Sequence, residues 1–383
     1  MIHNRILLIT ILKISIFPFF CFAQSNFSVV SSNLNEFENS KVFFTLEEND
    51  LRINNEKSDS TIIKNGKFSF KGIINQPSQK ATIIIKSETA YYTQIVLDTG
   101  FNEVIFKLIE VANFPKYYTA SIVNSKASRI KQQLDSLHNN NVNAYRKEIN
   151  QLSGGVSLPI RVQLNDFKEQ LNIVKKNPQD YYSLIVLNDI SKYISMIDQQ
   201  ELILDALNSL DNNLKKSALG KDLYKITSET LMAKNNTKAG QIVPTFKVKT
   251  INNQLFENTS LKGSPYLIAF SATWCLPCLE IQPKLLEIFN RYKDQGFKVV
   301  YFNIDDNVTK WIEHVTKRKL TWINVSEQTK PIESKISKQF NVVALPVYIL
   351  VNSEGVIVYN SDEASDNYKD LEGRVKKLLL SKN

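Results

Sequence analysis

The chain has 383 residues, more than one ordinary domain holds, so two or three domains are expected. Hydrophobic residues at 43% supply real cores, and charged residues at 22% exclude an intrinsically disordered chain. The formal net charge is +9, but the lysines are scattered. No basic stripe interleaves with aromatics, which argues against a nucleic-acid surface.

The first residues, MIHNR, carry one arginine and no acid, and ILLITILKISIFPFFCFA follows, apolar except for Lys13 and a few hydroxyls. Residues 1–23 therefore read as a secretory signal peptide cleaved after Ala23. Lys13 and Pro18 make this run a poor spanning helix. A lipid anchor at Cys21 is disfavoured, because Phe20 stands where such signals want a small residue. No other segment could span a bilayer, so a protein of the periplasm or cell envelope is expected. Cleavage removes Arg5 and Lys13, which leaves a net charge of +7, and it also removes Cys21. Only Cys275 and Cys278 then remain.

Residues 24–120 are expected to form a β-rich domain. KVFFTLEE and LRINNE lie between turn-like stretches, and NGKFSFKG alternates Phe68 and Phe70 with polar residues after an Asn-Gly turn. KATIIIKS, TQIVLDTG and NEVIFKLI follow. Strands this short and this regularly spaced predict a small antiparallel sandwich or barrel. Residues 121–236 read as a helical segment, a packed spacer or docking platform. Ile130, Leu134 and Leu137 keep helical spacing, as do Ile160, Leu164, Phe167, Leu171 and Val174 before a stop at Asn177-Pro178. AKNNTKAGQ lacks any period and reads as a linker.

Residues 240–383 alternate strands with helices. A hairpin around FKVKTINNQLF precedes a buried strand, YLIAFSA, and a helix from about Cys275. KVVYFNID, a helix through VTKWIEHVTKRK, VYILVN, a Ser-Glu-Gly turn, VIVYN and a last helix ending near Leu380 complete the pattern. This predicts an α/β domain with a central mixed sheet covered by helices. Trp311 and Trp322 are expected in its core.

Cys275 would open its helix, where backbone N–H groups and the helix dipole favour a thiolate. Cys278 lies nearly one turn on, near enough to close a disulfide, and Pro277 falls in the first turn, where a missing N–H costs little. The spacing supports attack, a mixed disulfide and release by the second sulfur. Two other uses of the pair remain to be weighed. Zinc needs about four ligands, and the only histidines after residue 23 are His138 in the helical segment and His314 on a later helix, so a site would have to draw a ligand from another domain and no metal is expected. A purely structural disulfide would close a very short loop in a domain with ample core. Pro346, in FNVVALPVYIL, opens a strand. It fits either a cis Leu345–Pro346 bond turning beside the cysteines or a trans proline at a strand edge.

WCLPC, a helix containing Pro283, and ALPVYILVN about 70 residues later resemble a thioredoxin fold. The approach AGQIVPTFKVKTINNQLFENTSLKGSPYLIAFSATWC resembles the exported TlpA/ResA-like thiol-disulfide oxidoreductases. There a proline-aromatic pair, here Pro244 and Phe246, precedes an extra hairpin. The resemblance covers residues 240–383. It implies Cys275 as nucleophile and Cys278 as resolving thiol, joined as a Cys275–Cys278 disulfide when oxidised. It implies Trp274 as a wall, Leu345 offering backbone groups to an incoming peptide, and Pro346 as a cis-proline facing the sulfurs. Protein thiols and disulfides are the implied partners, reduced with electrons from a membrane donor. No nucleotide cofactor is expected, since no Gly-rich fingerprint occurs in a βαβ context. Residues 27–110 resemble the β-rich domain of unknown function that precedes some exported redoxins.

Two departures from the family bear on proton transfer. The buried Asp of thioredoxins is replaced by Ala269. The Glu that TlpA/ResA-like proteins often carry three residues after the second cysteine is replaced by Ile281. Glu280 is one position earlier, rotated by about 100° on a helix. Slow deprotonation of Cys278 is expected, to water or to Glu280 by an indirect route. Two alternatives stand beside the redox reading. One is a thiol peroxidase, whose Thr-containing loop and Arg SATWCLPC lacks. The other is a partner-binding envelope protein that works through residues 24–236.

Overall fold

The structure, a computed structural model, describes residues 25–47, 58–110, 117–146, 159–194, 199–364, 368 and 370–380. The expected signal peptide at 1–23, with Cys21, and the stretch LRINNE lie outside the described residues. Among the described residues no helix is long and apolar enough to cross a membrane. The chain divides at Gln132 into two compact units.

The first unit holds eight strands among its described residues. They are β1 (Phe27–Ser31), β2 (Lys41–Leu46), β3 (Ser58–Ile62), β4 (Phe68–Gly72), β5 (Ser78–Lys86), β6 (Ala90–Asp98), β7 (Gly100–Ile109) and β8 (Tyr117–Ile122). Two four-stranded sheets form, ordered β4-β1-β7-β8 and β3-β2-β5-β6. Alternation sorts the side chains: Val42 and Phe44, Phe68 and Phe70, and Ile83 and Ile85 all turn inward. Both sheets feed one core, with Phe44 stacked on Phe70 at 5.0 Å, so the unit is a sandwich. The Asn65-Gly66 turn takes φ of 53° and 66°, the left-handed geometry such a dipeptide supplies to a tight hairpin. One pairing departs from the expected antiparallel pattern: β1 and β7 are parallel, from Phe27↔Gly100 to Ser31↔Val104. The chain reaches the flank of β1 only after completing strands of the other sheet. β8 also runs past the expected boundary at 120, because Ile122 pairs with Val104 and is buried.

The helical segment contains α1 (Lys126–Ala144), α2 (Ile160–Lys176), α3 (Tyr181–Ile194), α4 (Gln200–Ser209), α5 (Asn212–Lys216) and α6 (Ala218–Asn236). α3 is buried on most of its surface, through Tyr181, Tyr182, Leu184, Ile185, Val186, Leu187 and Ile190. Asp211 and Ser217 cap α5 and α6 by accepting from Asn213 and Gly220 N–H. On α2 the expected stripe holds at Leu171 and Val174, which are buried, and departs in the earlier turns. Leu164 and Phe167 are only half-buried, while Val162 and Asp166 are fully buried.

A charged Asp166 is tolerated there because its carboxylate is well supplied with donors. Asn141 Nδ2 donates at 2.6 Å and Gln170 Nε2 at 2.7 Å, and His138 Nδ1 lies 3.5 Å away. Burial works against the charge, but the hydrogen bonds from His138, Asn141 and Gln170 outweigh it and hold the carboxyl below its usual value. The bond to Asp166 holds His138 above its usual value, against the pull of burial. The histidine's contribution to stability is full below its unfolded pKa of about 6.5 and is lost as pH rises through its folded value. The aspartate's contribution is present above about 3.9 and is lost as pH falls through its lower folded value. The urea midpoint should therefore fall between about pH 6 and pH 8 in the wild type, and His138→Gln should flatten that slope. An equal slope in both proteins would remove His138 from the account.

A seven-stranded sheet organises the rest of the second unit. Its strands are β9 (Lys247–Thr250), β10 (Leu255–Glu257), β11 (Tyr266–Ser271), β12 (Lys298–Asn303), β13 (Ile323–Ser326), β14 (Val347–Val351) and β15 (Ile357–Asn360). The order is β10-β9-β13-β12-β11-β14-β15, with β11, β12 and β13 parallel and the remaining pairs antiparallel. Helices α7 (Leu276–Tyr292), α8 (Val308–Arg318), α9 (Lys335–Gln339) and α10 (Leu371–Leu380) cover it. All six residues of β11 are buried, as a strand covered on both faces requires. Leu267 and Ala269 join Leu285, Trp311 and Val375 on one face; Ile268 and Phe270 join Phe246, Ile336 and Phe340 on the other. Trp322 belongs to the first of these cores.

Two features were not expected. β13 is short, and its polar Asn324 turns back to bond Leu320 O and Trp322 O, which blurs its pattern. The stretch read as a linker is docked along β15. Gly240 N donates to Ile357 O and Ile357 N to Gln241 O, both at 2.8 Å, and Asn360 Nδ2 donates to Thr237 O at 3.0 Å. Side chains without a period do not reveal a main chain that finds partners on a sheet edge.

Candidate active site

Strand β11 delivers the chain to a turn, Ala272 to Trp274, and α7 begins immediately afterwards. Cys275 is the N-cap residue, in an extended conformation with φ −82° and ψ 99°. Its Sγ accepts the Cys278 backbone N–H at 3.3 Å. A helix start has unpaired N–H groups and carries about half a positive charge. The sulfur thus sits where a negative charge is best supported. Cys275 and Cys278 are joined in a disulfide, S–S 2.04 Å, with Cα atoms 5.3 Å apart. Pro277 occupies the first turn, where it removes no intrahelical bond.

The two sulfurs are unequally placed. Cys275 is 5% exposed and Cys278 2%, while the flanking Trp274 and Leu276 are 63% and 64% exposed. Cys275 is thus flanked by two exposed apolar side chains, and Cys278 lies within the helix that follows. Strand β14 brings the third element. Phe270 pairs with Val347, which sets Leu345-Pro346 alongside the end of β11. The Leu345–Pro346 peptide bond is cis, and Leu345 packs against Ala272, Cys275 and Cys278. The sequence-predicted residues Cys275, Cys278 and Leu345 are thus brought together, with Trp274 and Pro346 adjacent along the chain.

Other candidates are placed elsewhere. His138 is bound to Asp166, and His314 contacts Gln282. Among the described residues no group of three or more His, Cys, Asp or Glu side chains is arranged to hold a metal ion. Ala269 is fully buried and apolar, Ile281 is half-buried, and Glu280 is exposed. Glu280 therefore does not share the buried helix face that carries Cys278.

Two sets of residues near the cysteines were missed in the sequence. Asp305, 3% exposed beyond the end of β12, accepts the Thr273 N–H at 3.0 Å and an Asn303 amide proton at 2.7 Å. It ties the turn before Cys275 to the neighbouring strand. Behind α7 lies a buried polar chain. Ser271 Oγ and Tyr301 Oη are 2.6 Å apart, and Gln282 Nε2 lies 2.9 Å from both Tyr301 Oη and His314 Nε2. Burial raises the Tyr301 pKa and keeps its hydroxyl protonated. Burial, helped by Arg318 and opposed by Asp305, lowers that of His314 and keeps its ring neutral near pH 7. One local signal existed: Gln282 stands four residues after Cys278, on the same helical face.

A parallel-centred mixed sheet, a cysteine pair at a helix start and a cis-proline beside it define a thioredoxin-like oxidoreductase domain. Residues 263–357 match the family model described as "Thioredoxin-like", and residues 28–130 match a domain of unknown function, DUF4369. The chain therefore carries a thioredoxin-like domain behind a domain of unknown function. The thiol-disulfide oxidoreductase ResA of Bacillus thuringiensis (strain Al Hakam) is 25% identical over 145 residues, 38% of this chain and 81% of that one. Nucleoredoxin of Danio rerio is 26% identical over 109 residues, 28% of this chain. The match spans only 26% of the nucleoredoxin's length. Among solved structures, a thiol-disulfide oxidoreductase from Bacteroides fragilis NCTC 9343 is 24% identical, with a TM-score of 0.32. That match covers 37% of this chain and 99% of that one.

Proposed function

We propose that this protein is an exported thiol-disulfide oxidoreductase that reduces disulfides in other proteins. The Cys275 thiolate attacks one sulfur of a substrate disulfide. That S–S bond breaks, and its second sulfur leaves as a thiolate and takes up a proton. Cys278 then gives up its proton and attacks Cys275 Sγ. The mixed disulfide breaks, the substrate's remaining sulfur leaves as a thiolate, and the Cys275–Cys278 disulfide is left behind. Two electrons have passed to the substrate, and a membrane dithiol donor returns them.

The observation that carries this reading is the Cys275 sulfur accepting a backbone N–H at the start of α7. A helix start is a position that supports a thiolate once the disulfide opens. Leu345 and Pro346 would offer an edge to an extended substrate segment, with Trp274 as a wall. The apolar run in residues 1–23 supports export.

The test is capture. With Cys278→Ser, the mixed disulfide on Cys275 has no resolving thiol. Full-length variant expressed in its own cells should accumulate adducts that dithiothreitol releases, and mass spectrometry should identify them. Adducts equally abundant with Cys275→Ser, or absent with Cys278→Ser, would overturn the reading.

A further inference from the structure

The oxidised structure leaves one polar atom of the network unused. Gln282 is 2% exposed, and its Nε2 already serves Tyr301 Oη and His314 Nε2. Its Oε1 is buried without a hydrogen-bond partner. Such an atom is uncommon and asks for a reason. The disulfide supplies one. While Cys275–Cys278 is closed, Cys278 has no S–H. Reduction creates a donor on a residue that is itself 2% exposed and so cannot turn to water. Residues four apart on a helix stack on one face, and side chains lean toward the helix N-terminus, over the preceding turn. Gln282 therefore lies back over the turn that holds Cys278.

Resting on the redox reading above, we propose that Gln282 is a positioning residue for the resolving thiol: its carbonyl oxygen accepts the Cys278 S–H. Tyr301 and His314 hold the amide nitrogen and so fix which end faces the sulfur. An acceptor that favours the neutral thiol keeps Cys278 protonated. The resolving sulfur thus stays quiet until Cys275 is occupied. In the wild type the proton finally leaves to water, since a carboxamide is no base. This accounts for the missing carboxylates at 269 and 281 without recruiting the exposed Glu280.

The test uses the full chain carrying Cys21→Ser, reduced and mixed with Ellman's reagent. Cys275 attacks and releases one thionitrobenzoate. Cys278 then attacks Cys275 Sγ and releases the second, and the rate of that second phase reports resolution. Burial keeps Tyr301 protonated and His314 neutral near and above pH 7, and the charged neighbours Arg318 and Asp305 are common to both proteins. The wild-type rate should therefore rise with pH as the Cys278 thiolate alone. Gln282→Glu places a carboxylate where the carboxamide stood, and the proton passes to it. The second phase should speed up about a hundredfold at pH 7 and lose its pH slope above the new group's pKa. Unchanged rate and slope in a folded variant would overturn the role of Gln282. The redox reading would still stand, because the first phase and the capture experiment test it separately. Should the variant not fold, the reduced wild-type crystal structure decides. Cys278 Sγ within hydrogen-bond distance of Gln282 Oε1 supports the proposal, and any other partner, or none, overturns it.

Discussion

Cys275→Ser should abolish exchange, lowering the rate of insulin-disulfide reduction by more than about a thousandfold. The helix start can support a thiolate at residue 275, but a serine hydroxyl does not ionise near neutrality. Cys278 cannot replace it. At 2% exposure it is buried in a cluster with Ala272 and Cys275, against which Leu345 packs, and it leaves little surface for a protein disulfide. Iodoacetamide should label Cys275 before Cys278 in the reduced chain, since reactivity follows thiolate fraction and access. Residual exchange above a few per cent of wild type in the folded variant would move the nucleophile elsewhere.

Phe270→Ala should cost the thioredoxin-like domain about 3–5 kcal/mol. Phe270 is fully buried in β11, an inner strand of the sheet, its ring 5.0 Å from Phe302 and 5.4 Å from Phe340. Two aromatic rings pack directly on it within a fully buried core, so little relaxation can fill the cavity. Urea unfolding followed by tryptophan fluorescence reads this directly, since Trp311 and Trp322 are buried in the same domain. Ile332→Ala, at a residue 78% exposed, is the control and should fall within about 0.5 kcal/mol of wild type. A loss below about 1 kcal/mol for Phe270→Ala would mean that the core collapses around the gap.

What could be read from the sequence follows from the range of each signal. YLIAFS, the turn and WCLPC form one local run, and each part states its own structure: continuous apolarity, a helix start, a proline in the first turn. Pro346 at a strand start was legible for the same reason, whereas its cis bond was implied only by the family resemblance. Phe68 and Phe70 announced their strand by alternation and the turn by Asn65-Gly66. The parallel pairing of β1 with β7 was not legible, because direction depends on the route between two sheets and not on either strand. Asp305 and the Ser271–Tyr301–Gln282–His314 chain were hidden for a similar reason. Their residues are scattered over more than forty positions and meet only when β11, β12, α7 and α8 are assembled. That Glu280 points away from Cys278 could be read from the helical rotation alone, and its side chain is exposed; the same rotation favours Gln282.

The segment from Thr237 to Val243 has a consequence beyond joining two regions. An uncovered outer strand is a template onto which a strand from another molecule can add, and such growth leads to insoluble fibrils. By lying along β15 through Gly240, Gln241 and the Ile242↔Val356 bridge, this segment occupies the rim that a stranger would need. At the opposite rim β10 is three residues long, too short to nucleate much. The sheet is thus guarded at both borders against strand addition by a second molecule.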